Sequence, residues 1–386
     1  MQPEPISIYI HWPFCKKKCP YCDFNSHVSK EIDYKLWQEA YRQEINYFLP
    51  YIKDRKIRSI FFGGGTPSLM PDYLVAGILD NLNKQLKFSQ DIEITLEANP
   101  TSTEEKNFKA YKNAGVNRLS LGIQSLNQDD LIFLGRTHTV KESMQAINTA
   151  AEIFTNFSFD LIYARPSQTI EAWGTELELA LSFNSKHISL YQLTIEKGTE
   201  FYSQYNKNLF KLPTEKISAK LYEMTAEILK EKNIFQYEIS NYGQFGFESK
   251  HNLQYWNYGD YLGIGPGAHS RITLDSQKYA LTMLYNPEKW LESVKNNGHG
   301  IRDKELLDSQ VQLEEMLLMG LRLNQGIEIN KIKKLTPDHN FSSAQIPAWL
   351  FTDGLIALDD NQLKITDKGR ILSNSIIKLV IESFIY

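Results

Sequence analysis

The chain has only three cysteines in 386 residues, an odd and small number that excludes a disulfide framework. It has no run of about 18 apolar residues, so we expect no transmembrane helix. The N-terminal Met-Gln-Pro-Glu-Pro lacks a basic region followed by an apolar stretch, which argues against a secretory signal. We therefore expect a cytoplasmic protein, for which peripheral contact with a membrane surface stays compatible with the sequence.

A strong net charge is also lacking. The formal charge of −4 argues against a protein that binds nucleic acid by neutralising phosphates, so we predict no nucleic-acid partner. The composition, 42% hydrophobic and 23% charged, is ordinary for a globular protein with a sizeable core. Aromatic residues are plentiful, with 21 Tyr and 20 Phe, and they suit a flat, apolar ligand.

All three cysteines lie in one short segment, Cys15-Lys-Lys-Lys-Cys19-Pro-Tyr-Cys22. A zinc site would need a fourth ligand, for which His11 and His27 are candidates. Three thiolates at this spacing instead suit three irons of a [4Fe–4S] cube and leave the fourth iron open. Incidental thiols are usually scattered along a chain, so the spacing favours the cluster.

The first two thirds of the chain alternate short apolar strands with amphipathic helices. The predicted strands are Ile6–Trp12, Ile57–Phe62, Ile92–Glu97, Arg118–Ile123, Phe157–Tyr163 and His187–Leu193. The predicted helices are 30–51, 71–87, 103–114, 127–153 and 169–183. Strand–helix–strand units of this length require parallel pairing with right-handed crossovers.

Unusual residues fall at or just after the carboxyl ends of these strands. They are Cys15–Cys22, Gly63–Pro67, Glu97–Pro100, Gln124–Ser125, Asp160 and Gln192. Barrels of alternating strands and helices build their sites on this face. We therefore predict an α/β fold, a partial (β/α)6 barrel, rather than a doubly wound sheet.

Beyond about residue 206 the alternation fades. A helix over 214–232 precedes an aromatic, glycine-rich passage, Phe235–Ser270, and a second helix is predicted at Gln310–Leu323. The tail reads as helix, short hairpin (Leu355–Ile365) and final helix, which resembles a winged-helix-like module. We predict three domains: a barrel core over 1–205, an extension over 206–304 and the C-terminal module over 305–386.

Two groups of residues on the predicted rim suit a small ligand. The run Gly63-Gly64-Gly65-Thr66-Pro67 lets backbone approach a ligand closely, although its spacing fits neither a Walker loop nor a dinucleotide-binding turn. The side chains of Glu97, Gln124, Arg136 and Asp160 offer partners for an ammonium, a ribose diol or a carboxylate. Each of these four, taken singly, fits a structural role equally well.

His251 begins the string HNLQYW in the aromatic passage. A lone histidine is more often a structural residue than a ligand. Beside Tyr255 and Trp256, however, it could ligate a haem iron, with flat rings around the macrocycle.

The sequence resembles the radical S-adenosylmethionine (SAM) family, whose signature is CxxxCxxC. Further strings in family order resemble the oxygen-independent coproporphyrinogen III oxidase group across nearly the whole chain. They are YIHWPFCKKKCPYCDFNS, FFGGGTPS, LEANP, NRLSLGIQS, LGRTH, FDLIYARP, YQLTIEKGT, HNLQYW and LGIGPGAHS.

Two features favour the haem chaperone branch of this group. The oxidases continue their motif as CxxxCxxCxC, whereas this chain has Phe24 at the last position. The string HNLQYW is similar to the HNxxYW signature of the chaperones.

The resemblance implies roles for individual residues. Cys15, Cys19 and Cys22 would bind the [4Fe–4S] cluster, and His251 would bind haem. The SAM contacts would be Tyr9, Tyr21, Gly64, Gly65, Thr66, Glu97, Gln124, Arg136 and Asp160.

The implied function is a haem chaperone that binds a [4Fe–4S] cluster, SAM and haem and delivers haem to respiratory proteins, with a homodimer compatible with the sequence. We expect no coproporphyrinogen oxidase activity. The alternative is the oxidase itself, which decarboxylates two propionates of coproporphyrinogen III. DNA binding by the C-terminal module is disfavoured because the module lacks a dense basic stripe.

One loop departs from the pattern of the resembled group. Related chains usually read DLIYGLPGQT where this chain reads DLIYARPSQT. The departure is expected to place Arg165 and Ser167 on the barrel rim.

Overall fold

A computed structural model describes residues 4–336 and 343–385. Residues 1–3, 337–342 and 386, which belong to the first and last predicted domains, lie outside the described residues. The strands are β1 Ile6–Trp12, β2 Phe14–Cys15, β3 His27–Val28, β4 Lys56–Gly64, β5 Lys87–Ala98, β6 Arg118–Gln124, β7 Asn156–Tyr163, β8 His187–Gln192, β9 Phe235–Gln236, β10 Asn241–Gly243, β11 Tyr261–Ile264, β12 His269–Leu274, β13 Gln277–Met283, β14 Ile301–Leu306, β15 Ile327–Glu328, β16 Ile356–Asp359 and β17 Gln362–Ile365.

The helices cover the faces and ends of the sheets. They are α1 Tyr34–Ile52, α2 Asp72–Gln85, α3 Ser102–Glu105, α4 Phe108–Asn113, α5 Gln128–Phe133, α6 Val140–Ile153, α7 Ile170–Leu181, α8 Glu200–Asn206, α9 Glu215–Glu231, α10 Lys250–Trp256, α11 Pro287–Asn297, α12 Ser309–Gly320, α13 Ile329–Leu335, α14 Ala348–Thr352 and α15 Ser373–Ile385. Short 3-10 turns lie at Pro67–Leu69, Ser343–Gln345 and Arg370–Leu372.

Within the described residues, the main sheet has twelve strands in the order β14-β13-β12-β11-β1-β4-β5-β6-β7-β8-β10-β9. Its six central strands, β1 and β4 to β8, pair in parallel, as the repeated strand–helix units require. The predicted α/β fold with a partial barrel is therefore confirmed.

Side chains of β1 alternate between two environments, as the period of a strand dictates. Ile6, Ile8 and Ile10 are fully buried in the large hydrophobic core, where the covering helices pack. Ser7 and Tyr9 lie on the other face, and the Ser7 hydroxyl is 2.7 Å from that of Ser59. The barrel interior is thus partly polar before any ligand is considered.

Two helices that were predicted as single segments are each divided. The segment 127–153 forms α5 and α6, because Gly135 adopts a φ of 69° after α5 and Thr139 opens α6 with a capping box to Glu142. The segment 103–114 forms α3 and α4. The period of apolar residues continues across both breaks, so it does not show where the first helix of each pair ends.

The aromatic, glycine-rich passage and the residues that follow it contain strands that the sequence pattern did not predict. β11 pairs in parallel with β1, and β12 to β14 extend the sheet in antiparallel order. β14 has the sequence IRDKEL, which shows no buried apolar alternation. Its conformation follows from pairing with β13, which is a tertiary effect.

The C-terminal residues have a hydrophobic core of their own, formed largely by α12, α15 and the three-stranded sheet β15-β17-β16. The hairpin predicted over Leu355–Ile365 is present as β16 and β17, which join through Asp360 and Asn361, both at positive φ. This core meets the main sheet where Glu315 accepts hydrogen bonds from Arg271 and from the Tyr258 hydroxyl.

None of the helices within 4–336 and 343–385 combines the length and apolarity that crossing a bilayer requires.

Candidate cofactor site

The cysteine segment follows β1 and is held in place by backbone and amide contacts. β2, which includes Cys15, pairs with β3. Asn25 anchors the far side of the segment, because its Nδ2 donates to the carbonyl oxygens of Pro266 and Tyr285, each at 3.0 Å. The His11 ring fixes the Asn25 backbone, with Nε2 2.9 Å from its carbonyl oxygen. The segment is therefore fixed by residues that lie far away in sequence.

Each of the three thiols has a polar neighbour. The Thr66 hydroxyl donates to Cys15 Sγ at 3.3 Å, and Arg136 Nη1 donates to Cys19 Sγ at 3.4 Å. Cys22 Sγ lies 4.0 Å from the Ser26 hydroxyl. All three cysteines line one cavity of about 140 Å³. Three thiols around one cavity, two of them met by hydrogen-bond donors, fit the donor set of a [4Fe–4S] cluster.

The zinc alternative finds no support in the geometry. In the described part of the chain, no three His, Cys, Asp or Glu side chains lie close enough to share one metal ion. His11 binds the Tyr9 hydroxyl and the Asn25 carbonyl, while His27 Nε2 lies 3.0 Å from Asn25 Oδ1. A cube places each thiolate on its own iron, so its thiols need not meet at one point.

The glycine run packs against the cysteine segment. A Cβ on Gly65 would lie 2.7 Å from the Phe14 carbonyl oxygen, and one on Gly64, whose φ is 111°, would lie 2.8 Å from that of Trp12. The N–H groups of Gly65 and Thr66 donate to the same two carbonyls. The close backbone approach that the sequence predicted is thus made to the cysteine segment, which these glycines position.

Two carboxylates face each other inside the barrel. Burial, together with the nearby Asp160, raises the pKa of Glu97 to about 8, against a hydrogen bond from the Gly64 N–H that lowers it. Burial also raises the pKa of Asp160 to about 6, against a hydrogen bond from Ser189. The rim pattern had implied that Asp160 lies at the end of its strand. The structure instead places it within β7. Together they form a desolvated acidic pair that would bind a cationic group.

Arg136 connects the cysteine segment with the strand ends. Besides Cys19, its guanidinium donates to Asn99 Oδ1 at 2.5 Å and to the Gly122 carbonyl oxygen at 2.8 Å. Its Nε is buried without a partner. Asn99 in turn donates to the Thr66 hydroxyl at 3.1 Å. Asn99 was not among the predicted site residues, although its place two residues after Glu97 in LEANP was a usable signal.

The structure brings most of the predicted site residues together. Those that line the small cavity are Cys15, Cys19, Tyr21, Cys22, Gly64, Gly65, Thr66, Glu97, Gln124, Arg136 and Asp160. Gln124 ends β6 with a φ of 70°, unusual for a residue with a side chain. The acidic pair and the unpaired Arg136 Nε, which line the same cavity, fit an amino acid nucleoside such as SAM.

Tyr9 and His251 lie elsewhere, deeper in the barrel, where α10 packs against β1 and β4. His251 is 1% exposed. Its Nδ1 is 2.8 Å from the Ser59 hydroxyl and its Nε2 is 2.7 Å from the Tyr255 hydroxyl. Both ring nitrogens are therefore engaged, and a haem iron could reach neither without breaking a hydrogen bond. The assignment of His251 as a haem ligand stays a prediction.

A second cavity of about 1100 Å³ adjoins the first. The residues that line both cavities are Tyr21, Phe24, Glu97, Gln124 and Asp160. Most of the remaining wall comes from β7, β8, α9, Arg322 and the C-terminal residues 370–375. Phe24, the residue at the position where the oxidases have cysteine, is 59% exposed and stands between the two cavities.

Arg165 does not lie on the rim, contrary to the expectation from the loop whose sequence, DLIYARPSQT, differs from the pattern of the resembled group. It is 1% exposed, and its guanidinium binds Glu176, Asp130 and the Ser125 hydroxyl. Because Ala164 and Ser167 flank it at positive φ, the loop turns its side chain inward. The departure thus adds an ion pair behind the site.

The partial barrel and its cysteine-lined cavity define a protein of the radical SAM class. The chain matches the model of the radical SAM superfamily over residues 9–180 and that of the HemN C-terminal domain over residues 307–372.

Curated relatives match most of the chain. The chain is 36% identical over 385 residues to radical S-adenosyl methionine domain-containing protein 1, mitochondrial, of Danio rerio, covering 97% of this chain and 86% of the relative. It is 34% identical over 376 residues to the heme chaperone HemW of Bacillus subtilis, covering 96% and 97%. The HemW of Haemophilus influenzae is 44% identical over 276 residues, covering 70% and 71%. This chain belongs to the HemW-like branch of the radical SAM superfamily.

A solved structure shows the same fold. Coproporphyrinogen III oxidase (HemN) from Escherichia coli, described as a radical SAM enzyme, has a TM-score of 0.81. At 24% identity the match covers 97% of this chain and 89% of the oxidase. The likeness supports the mixed sheet and the C-terminal helical module together.

Proposed function

We propose that this protein is a haem chaperone that holds a [4Fe–4S] cluster and SAM in the small cavity and haem in the large one. The observation that carries the proposal is the cavity of about 1100 Å³ adjoining the cysteine-lined cavity. Its size suits a flat ligand larger than SAM, and the family membership names haem as the ligand of relatives.

The residues of the small cavity have separate tasks in this proposal. Cys15, Cys19 and Cys22 would hold the cluster, which supplies an open iron and electrons when bound. The acidic pair Glu97 and Asp160 would accept hydrogen bonds from the amino and ribose groups of SAM. The wall of the small cavity would be completed by Tyr21, Thr66, Gln124 and Arg136. Tyr9 would support this wall from its deeper position in the barrel.

The large cavity has the chemical character that haem needs. Its walls include exposed apolar surface on Phe24, Leu372 and Tyr191, which would cover the faces of a macrocycle. Among the described residues that line it, no histidine, cysteine or methionine occurs, whereas four tyrosines do. Phenolate ligation of haem iron is known in principle, so the cavity does not depend on His251 for an axial ligand.

A second function, oxidation of coproporphyrinogen III, is favoured by one observation. The two cavities share Glu97, Gln124 and Asp160, so a porphyrinogen in the large cavity would lie beside SAM. Phe24 counts against this function, because the oxidases of the group have a fourth cysteine there. We therefore rank the oxidase second.

Parallel titration separates the two functions. The protein is reconstituted anaerobically with iron and sulfide and then titrated with haem and, separately, with coproporphyrinogen III plus SAM and reductant. We expect a stable haem absorption spectrum and no protoporphyrinogen IX. Turnover to protoporphyrinogen IX would reverse the ranking. Four further features stay predictions: delivery of haem to respiratory proteins, peripheral membrane contact, a homodimer and a cytoplasmic location. Recipient-transfer and localisation assays address them.

A further inference from the structure

The wall of the large cavity opposite the barrel rim comes from the C-terminal module. Arg322, two residues after α12, and Arg370, which opens the turn before α15, both line the cavity. Arg370 Nη1 donates to the backbone carbonyl oxygen of Arg322 at 2.8 Å. The two arginines are therefore adjacent on one wall.

Both guanidinium groups are incompletely paired. Arg370 is only 4% exposed, yet its Nε has no hydrogen-bond partner. Arg322 lies over the Trp256 ring, with Cζ 4.9 Å from the ring centroid, and its Nε also lacks a partner. Among the residues that the structure describes, neither arginine forms an ion pair with a carboxylate. A desolvated cation without an anion is unfavourable unless a ligand supplies the anion.

One buried carboxylate lies in the same region but leaves the arginines unpaired. Glu238 accepts hydrogen bonds from the Ser240 N–H and from Asn241 Nδ2 through Oε1, while its Oε2 has no partner. Burial lowers the pKa of Arg370. The nearby Tyr222 raises it most, and Asp367 and Glu238 raise it by smaller amounts. The protein itself thus compensates the Arg370 charge only in part.

The remaining chemistry of the cavity identifies the class of ligand. Guanidinium groups present fixed forks of N–H donors that match carboxylates. Phe24 and Leu372, both exposed, add apolar wall to the same cavity. A ligand that is flat and apolar on its faces and carries carboxylates on one edge satisfies both requirements.

We propose that Arg322 and Arg370 bind the two propionate carboxylates of a tetrapyrrole, so that the C-terminal module reads the acidic edge of the ligand. This inference rests on the proposed haem function and assigns a specific task to the module. Its consequence is that affinity depends on the carboxylates and not on the macrocycle alone.

The test compares haem with haem dimethyl ester, in which both carboxylates are blocked. Each is titrated into the reconstituted protein and followed by its absorption spectrum. We expect the wild type to bind haem about tenfold to a hundredfold more tightly than the ester, the range expected for loss of charge-assisted hydrogen bonds. Equal affinities for haem and ester would overturn the inference while leaving the haem function standing. Binding of neither would remove both.

Variants then identify the residues. R322Q and R370Q should each lower haem affinity by about tenfold and leave ester affinity unchanged. R302Q is the matched control, since Arg302 is an exposed arginine paired with Asp303 on β14. Urea unfolding of each variant checks the fold. Wild-type haem affinity in both folded variants would refute the assignment, and the wild-type ester comparison decides the question if R370Q fails to fold.

Discussion

Arg165 and Glu176 form a buried ion pair, in which Arg165 Nη1 lies 3.2 Å from Glu176 Oε1. The same Glu176 oxygen accepts hydrogen bonds from the Ser125 hydroxyl and the Leu126 N–H, each at 2.7 Å. Because Ser125 follows Gln124 directly, the pair fixes the turn that ends β6 beside the small cavity.

We predict that R165L, which introduces the leucine usual in the resembled group, destabilises the protein by about 3–5 kcal/mol, because Glu176 is left buried and unpaired. The double variant R165L/E176L should regain about half of that loss. The free energy of urea unfolding measures both. R165L with wild-type stability would show that the pair contributes little.

We predict that G64A prevents assembly of the cluster. An alanine Cβ there would meet the His11 ring and the Trp12 carbonyl oxygen and would push the cysteine segment away. G246A is the matched control, because Gly246 also has a positive φ, 85°, but its Cβ would meet nothing within 4 Å. Iron and sulfide per chain after reconstitution provide the measurement. Equal iron content in both variants would contradict the packing argument.

We predict that the stability of the SAM-free protein falls as the pH rises from about 4.5 to about 8, in part because of Glu97. The pKa of Glu97 is raised by burial from 4.5 to about 8, so in this window the folded state binds a proton that the unfolded state has released. E97Q should remove the part of this dependence that is due to Glu97 and stabilise the protein at pH 8 by roughly 1–3 kcal/mol.

Urea unfolding at several pH values measures the effect of E97Q. The exposed Glu305 supplies a control, E305Q, whose profile should follow that of the wild type. Parallel profiles for E97Q and the wild type would show that Glu97 is not desolvated. E97Q should also weaken SAM binding, which equilibrium dialysis detects.

We predict that H251A lowers stability by about 2–4 kcal/mol and leaves haem affinity within about twofold. His187 provides a matched control, since it bridges the Ser158 and Tyr237 hydroxyls at 2.6 and 2.9 Å as His251 bridges those of Ser59 and Tyr255. H187A should therefore lower the stability by a similar amount and also leave the haem affinity within about twofold. Loss of haem binding in H251A alone, at unchanged stability, would instead establish the axial ligand that the resemblance implied.

The spacing of residues along the chain determined much of this protein. The cysteine spacing predicted the cluster donors, and the period of apolar residues located all six central strands. A parallel sheet then requires that strand ends share an edge, so Gly64, Glu97 and Gln124 had to meet. These conclusions depend on local geometry, which repeats predictably along a chain.

Contacts between distant segments decided the rest. The sequence predicted His251 as a haem ligand, which stays a prediction, and only the packing of α10 showed that its ring nitrogens bind Ser59 and Tyr255. It placed Arg165 on the rim, but Glu176 holds it inside. The wall formed by Arg322 and Arg370 exists only because the C-terminal module packs over the strand ends. The period of apolar residues specifies which face of a helix or strand is apolar. Only tertiary packing specifies which residues that face, and the polar side chains beside it, contact.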